Sequence, residues 1–158
     1  MPQRYEALPD SMKPEEVAEK ITEFLSEVQG MNVDVQDASD ALCESADRQW
    51  HTYEYLDTIL KSQVDNWVTT AWNNLNLRGT HGLPDSWAKE RLRIVENLIS
   101  AIGMFGLSMS YQVIKNTFSD DPHTVIRSEI ENTVAEFGEA VDDPYQRLKQ
   151  QLRNSDDQ

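Results

Sequence analysis

Apolar residues recur along most of this chain at steps of three and four, the spacing of one buried face on an α-helix, and alternating strand-like runs are almost absent. The first stripe, Val17, Ile21, Phe24, Leu25 and Val28, begins just after Pro14, whose fixed φ suits a first helical turn, and stops at Gly30. A short connection at Met31–Val33 follows. The second stripe is long: Leu42, Ala46, Trp50, Tyr53, Leu56, Leu60, Val64, Trp67, Ala71 and Leu75. Its mean step of about 3.7 residues is close to the straight-helix period. No Pro or Gly interrupts it, so the pattern predicts one helix over about 34–76.

The stretch Arg78–Pro84, with two glycines and a proline, reads as a loop. Asp85 or Ser86 then caps a third predicted helix reaching about Thr117. It carries Trp87, Leu92, Val95, Leu98, Ile99, Ile102, Phe105, Met109, Val113 and Ile114. Gly103 and Gly106 cost helix stability, and are expected to let a neighbouring helix come close. Two Asp-Asp-Pro triplets, at 120–122 and 142–144, mark further helix starts. One precedes Val125, Ile126, Ile130, Val134, Phe137 and Val141, the other Tyr145, Leu148 and Leu152. The expected fold is an all-α single-domain bundle of about five helices with two long central ones. An irregular arm is expected over 1–12, the bundle over 13–153 and a frayed tail over 154–158.

Asn97–Ile114 runs 18 residues without a charge, but its Asn, Ser, Gly and Gln positions fit a buried central helix better than a membrane span. Met1–Asp10 lacks the apolar core of a signal peptide. With one cysteine, Cys43, which is expected to be buried as a small apolar residue, the chain reads as cytoplasmic and free of any disulfide framework or cysteine-based zinc site.

Charge changes the picture most. The 158 residues hold 28 Asp and Glu against 14 Lys and Arg, a net charge of −14. Direct nucleic-acid binding and electrostatic docking on an anionic membrane are disfavoured. The balance is −10 over residues 1–76, +2 over 77–118 and −6 over 119–158. Glu16, Glu19, Glu23 and Glu27 fall in one narrow wedge of the first helix, and Asp37, Asp40, Glu44, Asp47 and Glu54 make a second acidic ribbon. A single solvated face, or adaptation to high salt, explains either stripe alone; two stripes on consecutive helices favour docking of a basic partner. Tyr55 and Ile59 point away from the core stripe and Trp72 stands at its edge, so these three are candidate interface anchors, or are covered by another helix.

Catalytic patterns are missing. There is no Gly-x-Ser-x-Gly elbow, no glycine-rich phosphate loop and no Glu-x-x-His for a di-iron bundle. Asp47, His51 and Glu54 share a predicted helix face and form the one local set with metal-ligand chemistry, more simply read as solvated. Arg78, Lys89, Arg91 and Arg93, with His81, suggest an anion pocket or, more simply, pairing with the chain's own acids. His123 is placed in the first turn of the fourth helix.

The expected function is therefore a non-catalytic acidic protein, without cofactor or metal, that binds a basic protein partner as neutralising proteins do (immunity proteins, antitoxins, DNA-mimicking inhibitors). The alternative is a structural subunit of a homo-oligomer or larger assembly. A ligand or metal site inside the bundle is a third and weaker reading.

Overall fold

A computed structural model describes residues 12–30, 34–52 and 54–137. The described residues form six helices and no strand: α1 (Pro14–Gly30), α2 (Val35–Trp50), α3 (Thr58–Asn74), α4 (Asp85–Phe105), α5 (Ser108–Phe118) and α6 (Thr124–Phe137). The all-helical expectation holds. The connection at 31–33, Tyr53, and the fifth helix with Tyr145, Leu148 and Leu152 lie outside the described residues.

Both long helices of the sequence reading are divided. The first divides at 51–57, into α2 and α3. The Thr52 hydroxyl donates to the Gln49 carbonyl at 2.7 Å, and the Gln49 side-chain amide donates to the Glu54 carbonyl at 2.7 Å. These side-chain bonds compete with helix continuation. Asp57 then starts α3 by accepting the Ile59 and Leu60 N–H groups at 3.0 and 3.2 Å.

The second division falls at Gly106, which closes α4 with φ 74°, ψ 54° while its N–H donates to the Ile102 carbonyl. Gly106 therefore ends a helix by adopting the left-handed conformation. Gly106→Ala is expected to cost about 1–2 kcal/mol, the penalty for Cβ in that region, read as a lowered midpoint in urea denaturation. An unchanged midpoint would contradict this account of the α4–α5 turn.

The core holds most of the predicted stripe residues: Val17, Ile21, Phe24 and Leu25 from α1, Leu42 and Ala46 from α2, Val64 and Val68 from α3, Leu98 and Ile102 from α4, Ile114 from α5, and Ile126 and Ile130 from α6. α4 is central, packing most extensively on α2 and then on α6, while α1 rests on α2 and α3. Trp67 meets Phe24 edge-on, with ring centroids 5.1 Å apart at 81°. Met109, assigned to a buried stripe from the sequence, is 42% exposed, because the turn at Gly106 rotates α5 away from the continuous-helix register.

α5 has no side-chain cap of its own. Asp65, buried in α3, supplies it: the carboxylate accepts the Met109 and Ser110 N–H groups at 3.1 and 2.9 Å and the Ser110 hydroxyl. The Ser110 and Thr69 hydroxyls are 3.0 Å apart, and the buried Trp72 indole N–H donates to Thr117 at 2.9 Å. A polar seam thus bonds α3 to α5 along its length.

The loop before α4 is bonded to the loop before α6. Gly79 and His81 N–H groups donate to the Asp120 and Asp121 carbonyls, and the His123 N–H donates to the Thr80 hydroxyl at 3.0 Å. His123 precedes α6 and caps it, a correction to its placement inside the first turn. Its Nδ1 accepts the Val125 N–H at 3.1 Å, which leaves Nε2 to donate to Asp85 Oδ1 at 3.1 Å.

Between α4 and α6, burial and then the Glu96 carboxylate hold the Glu129 carboxyl above its usual range. A raised carboxyl favours the neutral form in the fold, so stability falls as pH rises from the ordinary Glu range through the folded value. Glu129→Gln is expected to stabilise the protein at neutral pH and to give no gain below about pH 4. Urea denaturation at both pH values checks this, and a gain of equal size at both would contradict it.

Candidate docking surface

α1 presents the clearest acidic face. Glu15, Glu16, Glu19, Glu23 and Glu27 are all exposed, while Val17, Ile21, Phe24 and Leu25 turn inward. Lys20, 3.4 Å from Glu23, is the helix's single cation. Glu15 and Glu16 complement the positive helix start, and Glu16 accepts the Lys13 N–H at 3.2 Å. Glu23 and Glu27 gain nothing of the kind. They lie in the half of α1 nearer its negative end, where no basic residue occupies the last turn. Glu19/Glu23 and Glu23/Glu27 are like charges one turn apart, costing a few tenths of a kcal/mol per pair.

The ribbon on α2 is different. Asp37 is exposed, but Asp40, Glu44 and Asp47 are half-buried and engaged within the chain. Asp40 Oδ1 accepts from Arg93 at 3.0 Å and from the Asn97 amide at 2.6 Å, joining α2 to α4. Glu44 and Asp47 both flank Arg48. Asp40 thus serves the α2–α4 contact, while Glu44 and Asp47 pair with Arg48 on α2 itself, so this second stripe is partly engaged within the chain. Arg93 thereby takes the intramolecular pairing expected of the basic island, and Arg78 does likewise with Asp120 at 3.7 Å. Arg91 lies 4.3 Å above the Trp87 ring and donates to the Trp87 carbonyl at 3.0 Å.

The three anchor candidates separate. Tyr55 and Ile59, on either side of Asp57, are 51% and 70% exposed, and Glu54 is exposed beside them. Trp72 is 2% exposed, buried under α5 with its N–H held by Thr117, so it anchors the core and not a partner. A helical projection sets Trp72 at the stripe's edge, and α5, a separate helix packed on α3, covers it.

The site for metal chemistry does not assemble. His51 Nδ1 contacts the Asp47 carbonyl at 2.7 Å, and among the described residues no three His, Cys, Asp or Glu side chains converge to hold a metal ion. Cys43 is half-buried, less enclosed than expected. Burial above all, and then Asp47, Asp40 and Glu44, push its thiol up against the lowering effect of a Ser100 hydrogen bond, which keeps it protonated and weakly nucleophilic at neutral pH.

Sequence reasoning missed a groove of about 540 Å³ between the end of α3 and the first half of α4, whose lining includes Leu75, Leu83, Trp87, Arg91 and Ile94. The 87, 91, 94 spacing, one face of α4 with a Trp and an Arg on it, was the available signal. Among the described residues, no helix is long and apolar enough to cross a membrane. No known protein family, curated protein or solved structure matches the chain.

Proposed function

We propose that this is a non-catalytic acidic protein whose α1 face docks a basic protein partner, in the manner of neutralising proteins. One observation carries the reading: Glu19, Glu23 and Glu27 repeat at one-turn spacing on an exposed face with a single cation, an arrangement that weakens the helix bearing it. Among the described residues the fold takes from that stripe one exposed pair, Lys20–Glu23, whereas a cationic partner gains a steering field and complementary charge. Asp37 and Glu54 extend the negative surface; Asp40, Glu44 and Asp47 contribute to its field while holding α2, α4 and Arg48 in place. Reversing the three α1 charges and following the salt dependence of partner association tests the reading.

A further inference from the structure

The α1 face leaves Tyr55 and Ile59 without a role, and they stand at one end of a surface with an unusual composition. The fully exposed positions of α3 are Thr58, Ile59, Ser62, Gln63, Asn66, Thr70, Asn73 and Asn74. None is charged. Each of the other five described helices exposes at least one charged side chain. At 100° per residue, Ile59, Gln63, Asn66, Thr70 and Asn74 form one straight stripe, about 22 Å long at 1.5 Å per residue. The α3 charges lie elsewhere: Asp65 is buried against α5 and Lys61 is half-buried, outside the stripe.

The two ends of this stripe differ in a complementary way. At the start of α3, Tyr55 and Ile59 protrude beside Glu54 and Asp57. At its end opens the groove of Leu75, Leu83, Trp87 and Ile94, with Asn74 and Asn76 on its wall. Leu83 is 41% exposed there. Arg91 lines the groove, with Glu90 beside it, and Arg78 lies across Asn76 in an adjoining cleft. One end offers an apolar projection, and the other an apolar recess whose guanidinium groups are already paired, Arg91 with Glu90 and Arg78 with Asp120.

We infer that the occupant of this face is a second copy of the chain, with the two α3 helices side by side and antiparallel about a two-fold axis. Antiparallel pairing sets each Tyr55–Ile59 projection over the partner copy's groove, so both ends are satisfied at once, as an isologous interface requires. Charge selects the same face. Two copies of net charge −14 repel wherever their acidic surfaces meet, and an uncharged stripe lets them approach. Charge depletion at the centre and aromatic residues at the contact are features of protein interfaces. This association uses α3 and leaves both α1 faces open, so it stands independently of the basic-partner reading.

In this arrangement the two-fold axis passes near Asn66, which meets its own copy, while Gln63 faces Thr70. Asn66 is exposed, so a charge placed there disturbs no core contact. Sedimentation analysis of the full chain is expected to give a dimer of twice the 18.1 kDa chain mass. Asn66→Glu and Asn66→Lys, each facing itself across the axis, are expected to weaken the dimer by about 100-fold, as like charges do in an interface. An equimolar mixture of the two variants is expected to recover the dimer, which a folding defect could not produce. Ile59→Ser weakens it through the apolar end, and Ser128→Glu on the exposed side of α6 leaves it unchanged. A wild-type chain that stays monomeric up to about 1 mM, or a dimer indifferent to charge at Asn66, would overturn the inference.

Discussion

Asp65→Ala is expected to cost the protein about 3 kcal/mol and to loosen α5 before the rest of the bundle. The carboxylate accepts two backbone N–H groups and a hydroxyl at the start of a helix that has no cap of its own. A lost cap typically costs about 1 kcal/mol, and donors left unsatisfied in a buried site add about 1–3 kcal/mol. Asp65→Asn keeps an oxygen acceptor and is expected to lose about half as much. Urea denaturation gives the total, and hydrogen exchange at the Met109 and Ser110 amides locates it. Faster exchange confined to α5 and its neighbours is the expected pattern. A loss below about 1 kcal/mol would show that water replaces the cap, contradicting the assignment of Asp65 as the α3–α5 link.

The second large effect concerns recognition. Converting Glu19, Glu23 and Glu27 together to Lys changes the charge of one exposed face by six units without touching a buried side chain. Association with a basic partner is expected to slow by about 100-fold at low salt, with the difference shrinking as salt screens the field. The helix loses the exposed Lys20–Glu23 pair, worth a few tenths of a kcal/mol, while cations at positions 23 and 27 suit its negative end, so its stability is expected to change little. If the reversed protein associates at the wild-type rate, the α1 face takes no part in docking.

How far the sequence could be read divides along physical lines. Stripes such as Val17–Ile21–Phe24 and Leu98–Ile102 lie in the core because periodic burial is a local property of a helix. The helix ends after Trp50 and at Gly106 are not legible in the apolar spacing, for two reasons. The first break is made by side-chain bonds of Gln49, Thr52 and Asp57 in a stretch with no breaker residue. The second turns on whether a glycine adopts positive φ, which the run of apolar residues around it masks.

The candidate surface shows the same division. That Glu16, Glu19, Glu23 and Glu27 share one face follows from spacing alone, and they are exposed together. The fates of Asp40 and Trp72 depend on residues more than forty positions away, Arg93 and Asn97 for one and Thr117 for the other. Asp65 illustrates the limit most clearly. In sequence it is one more acid among 28, and only the packing of α5 on α3 makes it a cap. The basic residues resolve in the opposite direction. Arg78 and Arg93 are absorbed by Asp120 and Asp40, so the positive island leaves little net field of its own.

The central claim is that the α1 carboxylates recognise a basic protein, and affinity capture with paired baits tests it most directly. Wild-type protein and the Glu19, Glu23 and Glu27 to Lys variant are immobilised at equal density, exposed to extract from the native source at low salt, and the retained proteins are identified by mass spectrometry. The account predicts a basic protein held by the wild type, released by salt and missing from the reversed bait. Retention of the same partner by both baits, or retention of only acidic proteins by the wild type, would contradict it.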